Sequence, residues 1–197
     1  MSAGEVLLRL DERYQLRINW RGLEIHPETP AAGMPVAQLG YEPERWDQMM
    51  SELAHLAQEE GIELDAPGFT TNSRRALLLA ELAKRAGRER FYALHEGLFD
   101  AYFRQGRNIG DERELRRIAS KAGLAQGLAD QAWASDRLSE RLAFNLRSAR
   151  ALGISGTPAY VFGRQLLVGA LPLAQLEQAA AEGHVHFLVA PADGQHG

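Results

Sequence analysis

Residues 153–170 constrain the fold of this chain more than any other segment. Pro158 stands at the start of an apolar run, 160–162, and the pair 163–164 separates that run from a second one, 166–168. Because proline lacks an amide hydrogen, it is tolerated at the first residue of a strand but not in its middle. The pattern therefore predicts a β-hairpin with a tight turn at Gly163 and Arg164.

The rest of the chain combines one strand pattern with a long helical region. Residues 4–14 place apolar side chains on one helical face, which predicts a helix. Residues 15–25 alternate between apolar and polar side chains, which predicts a half-buried strand. Residues 26–43 carry four prolines and two glycines and are predicted to form a loop. Helical patterns then follow at 44–60, 73–86, 88–104, 112–122, 126–133 and 136–152.

Capping residues support several of these helix boundaries. Asn72, Asp111 and Ser135 stand at predicted N-cap positions, and Asp111 with Glu114 resembles a capping box. After the hairpin, Pro172 opens a further helical pattern that ends near residue 181.

Composition and charge limit the functions that the chain can have. The sequence has 197 residues, a formal net charge of −4 and no cysteine. Without cysteine there is no disulfide framework, no thiolate metal site and no thiol redox chemistry carried by this sequence. The negative charge argues against a general basic surface for nucleic acid. No apolar run approaches membrane-spanning length and no signal-peptide pattern is present, so we predict a cytoplasmic protein without a membrane or nucleic-acid partner.

The order Gly-x-Ser-Gly-Thr-Pro, strand, glycine turn, strand and helix resembles the C-terminal half of a thioredoxin-fold domain. It is most similar to the DsbA-like family and its FrnE-type branch, related to 2-hydroxychromene-2-carboxylate isomerase and kappa-class glutathione transferases. Further similar stretches lie at 18–27, 71–76, 91–103 and 108–111. The resemblance implies an α/β, thioredoxin-like fold with a large all-helical insertion. It also implies that the Thr157-Pro158 bond is cis and faces the active site.

This family assignment suggests a domain division. Residues 1–43 and 153–183 are expected to form the thioredoxin-like sheet with its flanking helices, and residues 44–152 the helical insertion. Residues 184–197 form a tail in which the apolar, β-branched stretch 184–190 predicts a strand.

The resemblance breaks at the N-terminus. In the family a central strand precedes the first helix, and a Cys-x-x-Cys motif, or a Ser-containing variant, begins that helix, whereas residues 1–4 lie roughly where that motif ends. Three explanations stay open: the recorded start lies downstream of the true one, the chain is truncated, or another strand such as 184–190 fills the slot. An unfilled slot would expose strand edges and favour a homodimer.

The resemblance also implies where a substrate binds. We expect the substrate-binding residues to be Gly156, Thr157 and Pro158, together with Asn72 and Arg74 at a helix start. The catalytic residue is unknown, with Ser2 as a weak candidate, and the histidines show no metal-ligand spacing.

The sequence is compatible with three functions. The first is a thiol-disulfide oxidoreductase or isomerase homologue that is redox-inactive as written. The second is a glutathione-assisted isomerase or transferase, and the third is a non-catalytic module that binds a peptide or protein partner. The sequence therefore does not decide whether the chain is an enzyme. No cofactor is required, although glutathione is a candidate, and the expected partner is a small thiol or an extended peptide.

Overall fold

The computed structural model describes residues 18–59, 68–154, 156–169 and 171–188, and the elements are numbered from the first of these. The helices are α1 Pro43–Glu59, α2 Arg74–Ala83, α3 Arg88–Phe99, α4 Glu112–Lys121, α5 Leu128–Trp133, α6 Asp136–Ala151 and α7 Leu173–Leu188. The strands are β1 Met34–Pro35, β2 Phe69–Thr70, β3 Ala159–Phe162 and β4 Gln165–Val168. The predicted helix at 4–14 lies outside the described residues.

The six helices predicted between residues 44 and 152 all form. In two of them the last turn changes its winding: Lys84–Ala86 is a 3-10 turn after α2, and Asp100–Arg104 is a π-helical turn after α3. The predicted loop at 26–43 contains a 3-10 turn, Val36–Leu39, and the two-residue strand β1, which pairs antiparallel with β2. This short pairing has no sequence signal, because two residues are too few to show a strand pattern.

Two of the three predicted caps form as expected. The Asp111 carboxylate accepts hydrogen bonds from the backbone N–H groups of Arg113 and Glu114 at 2.8 and 3.0 Å. The Ser135 hydroxyl accepts one from the N–H of Leu138 at 3.3 Å. Each bond satisfies a backbone donor that the first helical turn leaves without a partner.

The capping box at the start of α4 is only half formed. Glu114 does not reach back to the cap; its carboxylate instead pairs with Arg117 and Arg107. Hydrogen bonds from these two guanidinium groups, that of Arg117 foremost, lower the pKa of Glu114. The Asp111 N–H is bonded to the carbonyl of Asn108 at 3.2 Å, so a second acceptor is not needed there.

The predicted strand at 15–25 does not form over its described part. Residues 18–25 are irregular and pair with no strand among the described residues, although burial alternates as predicted from residue 18 to 21. The reason lies in side chains from the helical region. Lys84 Nζ donates to the Trp20 carbonyl at 2.5 Å, and Asn145 Nδ2 donates to the Gly22 carbonyl at 3.3 Å. These donors satisfy two of the carbonyls that a neighbouring strand would otherwise pair with.

The predicted hairpin is confirmed. Strands β3 and β4 pair antiparallel, from Ala159 opposite Val168 to Phe162 opposite Gln165. The connecting turn is the two-residue step Gly163-Arg164, and Gly163 has a φ of 60°, the left-handed region that a tight hairpin turn requires.

The strand predicted at 184–190 is wrong over residues 184–188, because α7 continues through Leu188. The helix begins after Pro172 and passes through three consecutive alanines, 179–181, which are the best helix formers. Once started, a helix gains one hydrogen bond per added residue, and this outweighs the modest strand preference of the following residues. Residues 189–190 lie outside the described part.

Three apolar clusters organise the molecule. The largest is shared by the helices α2, α3, α4 and α5. It includes Leu79, Phe91, Leu94, Leu115 and Ile118, with Trp20 packed against it. The second connects α2 with both α5 and α6. The third lies under the hairpin and receives Ile18 and Trp20 from the irregular segment. Trp20 therefore contacts both the helical core and the hairpin cluster, which explains why its segment is held in place without a strand partner.

Candidate functional site

The predicted substrate loop lies at the surface, directly before β3. The Thr157-Pro158 peptide bond is cis, the isomer that the family resemblance implies. Thr157 and Pro158 are exposed and Gly156 is half-buried. The Pro158 carbonyl accepts a hydrogen bond from the N–H of Gly169 at 2.8 Å, which ties the loop to the end of the hairpin.

One face of the hairpin is packed and anchors the site. Tyr160, Phe162 and Leu167 point towards α7, where Leu176 and Ala180 are almost fully buried. Burial raises the pKa of the Tyr160 phenol. The packed face holds β3 against α7, so the loop before β3 is anchored through the strand that follows it.

The hydrogen-bonding phase of the hairpin determines which backbone groups face outwards. Phe162 and Gln165 flank the two-residue turn and therefore form a hydrogen-bonded pair. Pro158 and Gly169, at the other end of the hairpin, are also hydrogen-bonded to each other. Hydrogen-bonded and non-hydrogen-bonded pairs alternate along an antiparallel ladder, so residues 158, 160 and 162 face β4. Ala159 and Val161 therefore direct their N–H and C=O groups to the opposite edge. Among the described residues, β4 is the only strand that pairs with β3.

The outer face of the hairpin is apolar. Val161 on β3 and Val168 on β4 are 51% and 46% exposed. The free edge of β3, defined here as the outward backbone groups of Ala159 and Val161, thus lies beside exposed Pro158 and an exposed valine. Such an edge can accept an extended chain by main-chain pairing.

Asn72 and Arg74 each contact residues outside the hairpin. Asn72 Nδ2 donates to the Thr29 carbonyl at 2.6 Å, and its Oδ1 accepts from the N–H of Arg74 at 3.0 Å. Helix α2 has Ser73 as its N-cap residue, without a side-chain bond, so Asn72 caps it from one position earlier. Arg74 forms an ion pair with Glu24 at 2.8 Å. These contacts give both residues a structural role, and their role in substrate binding stays a prediction.

Two segments that resemble the DsbA-like family, 71–76 and 108–111, meet in a polar network of Thr71, Asn108 and Gly110, called the 71/108/110 network below. Thr71 Oγ1 donates to Asn108 Oδ1, and the N–H of Gly110 donates to both of these oxygens at 2.9 Å. Asn108 Nδ2 donates to the Ala31 carbonyl at 2.9 Å. The network therefore connects the proline-rich loop to the starts of α2 and α4.

His95 is a half-buried titratable group for which the sequence predicts no function. It lies against Trp20, with ring centroids 4.6 Å apart, and against Phe99 at 4.7 Å. Burial lowers its pKa from 6.5 to about 4. The spacing Phe91, His95, Phe99 places the ring on one apolar helical face, and that signal was present in the sequence.

The remaining expectations concern residues and sites of other kinds. Ser2 lies outside the described residues. Within the described ranges, no group of three His, Cys, Asp or Glu side chains is arranged to hold a metal ion. Over the same residues, no helix has the length and apolar character needed to cross a membrane.

The hairpin, the cis-proline loop before it and the helix packed under it define a thioredoxin-like protein. The model of the DSBA-like thioredoxin domain matches residues 1–181, and the chain belongs to this family. The fold is thus the expected α/β, thioredoxin-like fold with a large helical insertion. Among curated proteins, none matches the chain significantly.

Solved structures show the same fold over nearly the whole chain. One is a probable DsbA oxidoreductase from Streptomyces coelicolor, with 21% identity, a TM-score of 0.77 and coverage of 98% of this chain and 84% of that one. Another is a 2-hydroxychromene-2-carboxylate isomerase, with 20% identity, a TM-score of 0.68 and coverage of 95% and 90%. A third is a candidate protein disulfide isomerase from Nitrosomonas europaea, at 17% identity, a TM-score of 0.66 and coverage of 98% and 90%. At these identities the similarity establishes the fold alone.

Proposed function

We propose that this chain is a DsbA-like protein without dithiol chemistry that binds an extended polypeptide along the free edge of β3. Gly156, Thr157 and Pro158 form the entrance to this binding edge. The observation that carries the proposal is the outward direction of the backbone groups of Ala159 and Val161, on a strand with no second neighbour in the described residues.

The chemistry of the sequence supports binding rather than redox catalysis. Dithiol exchange needs a thiolate that attacks a disulfide sulfur, and the sequence contains no cysteine. A hydroxyl group, such as that of Ser2 or Thr157, cannot replace a thiolate in that step. The binding edge does not depend on cysteine, because it is made of main-chain groups.

The local surroundings also favour an extended peptide. Main-chain pairing supplies affinity, while alternate side chains of the peptide contact the faces of the sheet. Val161 offers an exposed apolar contact on one face, and the other face is occupied by α7. A peptide with an apolar residue at every second position would therefore place those residues against Val161.

A proline substitution tests this edge selectively. In Val161→Pro the outward N–H of β3 is lost, whereas the bonds between β3 and β4 remain, since proline is tolerated where the N–H does not face the ladder. The probe is a fluorescein-labelled unfolded protein whose thiols are alkylated, and binding is followed by fluorescence anisotropy. We expect affinity to fall by about tenfold or more, which corresponds to roughly 1.4 kcal/mol.

The matched control is Val168→Pro, which removes an outward N–H from the other edge of the same hairpin. Its affinity should stay within about twofold of the unsubstituted chain, as expected for a surface change away from the site. Equal losses in both variants, or no binding of the probe at all, would contradict the proposal.

The same preparation separates the alternatives that the sequence left open. Saturable quenching of tryptophan fluorescence by reduced glutathione, without polypeptide binding, would support a glutathione-assisted isomerase or transferase instead. Sedimentation at increasing protein concentration tests whether a second copy of the chain occupies the edge. A dimer that Val161→Pro dissociates and Val168→Pro does not would identify that copy as the occupant.

A further inference from the structure

The exposed face of α6 carries an unusual set of arginines. Arg137, Arg141, Arg147 and Arg150 are all exposed, and within the described part of the chain none of them has a salt-bridge partner. Three other arginines of the helical region, Arg74, Arg116 and Arg117, by contrast each reach a carboxylate at 2.8 Å or less.

An exposed phenylalanine lies in the middle of these arginines. Phe144 is 46% exposed, and Leu152 just beyond the helix end is 54% exposed. Side chains three residues apart on an α-helix differ in direction by about 300°, which is about 60° less than a full turn. Arg141 and Arg147 therefore lie on either side of Phe144. We define the α6 surface as the four arginines and this phenylalanine.

Helix stability does not account for the whole set. Arg147 and Arg150 lie near the C-terminus of α6, where positive charge is favourable to the helix dipole. Arg137 lies in the first turn, where it opposes the dipole. The buried face, which includes Leu138 and Leu142, packs the helix on α2, so Phe144 adds nothing to that packing.

We propose that the α6 surface binds an acidic peptide segment of a partner protein, one that places an apolar side chain between two carboxylates. Arginine binds carboxylates in a bidentate geometry, and aromatic residues and arginine are enriched where protein interfaces are most buried. The basic α6 surface contrasts with the net charge of −4 of the whole chain, so it is a local feature.

The details favour a peptide over a phosphate-rich surface. Asp136 and Glu140 lie on the same helix and are exposed, and a nucleic acid or an anionic membrane would repel them. A membrane-binding helix also needs a continuous apolar face, whereas Phe144 is flanked by charged side chains at 140, 141 and 147. The carboxylates of a peptide are discrete, so they can be spaced to reach the arginines on either side of Glu140.

The test uses defined peptides and the full chain. A fluorescein-labelled peptide of four Glu-Glu-Leu repeats is titrated and followed by anisotropy, with four Glu-Glu-Ser repeats and vesicles containing phosphatidylserine as comparators. We expect a Kd below about 1 mM for the leucine peptide, weakening with salt, and weaker binding of the serine peptide.

Substitutions then localise the binding. The double variant Arg141→Glu and Arg147→Glu should lose at least about tenfold in affinity, and Phe144→Ser at least about fivefold. The control is Arg113→Glu, an exposed arginine of α4, which should stay within about twofold. Val161→Pro should leave this binding unchanged, so the two binding proposals fail independently.

Three results would overturn the inference. The first is that the leucine peptide does not bind at concentrations up to about 1 mM. The second is an equal loss of affinity in Arg113→Glu, and the third is tighter binding to the vesicles than to the peptide. Equal affinities for the serine and leucine peptides would contradict the proposed contact between Phe144 and an apolar side chain of the peptide.

Discussion

Adding one methyl group at Gly110 should destabilise the protein strongly, because this residue lies inside the 71/108/110 network. A Cβ there would stand 2.9 Å from the Ala31 carbonyl oxygen, 3.0 Å from Asn108 Oδ1 and 3.1 Å from the Asn72 carbonyl oxygen. Two of these atoms belong to the backbone, so relieving the contact requires loop 26–33 or the start of α2 to shift.

The magnitude follows from three contributions. Overpacking a close-fitted position costs about 1–3 kcal/mol. The shift also weakens the hydrogen bonds from the Gly110 N–H, each worth about 1 kcal/mol. Opposing this, replacing Gly by Ala reduces the entropy of the unfolded chain, which stabilises by about 0.4–1 kcal/mol. We expect a net loss of about 1–3 kcal/mol for Gly110→Ala.

Urea unfolding followed by circular dichroism measures this change. The matched control is Gly68→Ala, where a Cβ would meet no atom of the described residues within 4 Å. That variant should keep its free energy of unfolding within about 0.5 kcal/mol, or gain slightly. Equal stabilities of the two variants would refute the reasoning, because the close contacts around residue 110 are the only difference it relies on.

Two further predictions concern polar groups that are removed partly or wholly from solvent. Because burial lowers the pKa of His95 from 6.5 to about 4, only the unfolded chain takes up the proton as pH falls through that range. Stability should therefore be complete above pH 6.5 and decrease by roughly 3 kcal/mol towards pH 4, and unfolding curves of His95→Phe should lack this part of the slope. An identical pH dependence in both proteins would contradict the role of His95. Asn145 is 3% exposed and donates to the Gly22 carbonyl and to Glu81 Oε1. Asn145→Asp replaces that donor by a carboxylate next to two acceptors, so we expect a loss of at least about 2 kcal/mol at pH 7. Protonation of the new carboxyl should recover part of this loss at low pH, and a loss that is the same at pH 4 and pH 7 would argue against the buried charge as its cause.

Local features of the fold could be predicted because their causes lie within a few residues. The two-residue turn at 163–164 joins two runs of strand formers, and Asp111 and Ser135 accept bonds from amides two or three residues ahead. The position of Pro158 directly before β3 followed in the same way, since proline is tolerated at the start of a strand but not in its middle. The resemblance supplied the family, which local patterns alone do not specify.

The strand predicted at 15–25 shows where local reasoning fails. The alternation of side chains describes which ones are buried, and residues 18–21 keep it. Whether such a segment pairs in a sheet depends on its neighbours. Here the donors come from Lys84 and Asn145, which are 64 and 123 residues away from the carbonyls that they satisfy. In α7, propagation of an established helix outweighed the preferences of residues 184–188.

From its residues alone, the chain's lack of thiol chemistry, its helical region and its hairpin could be established, because these depend on composition and on neighbours along the chain. Only the tertiary structure decided that Asn72 and Arg74 are engaged in structural contacts and that the ring of His95 lies against Trp20. Each of these depends on contacts between residues far apart in sequence, and the free energy of such contacts is determined by packing rather than by local preference.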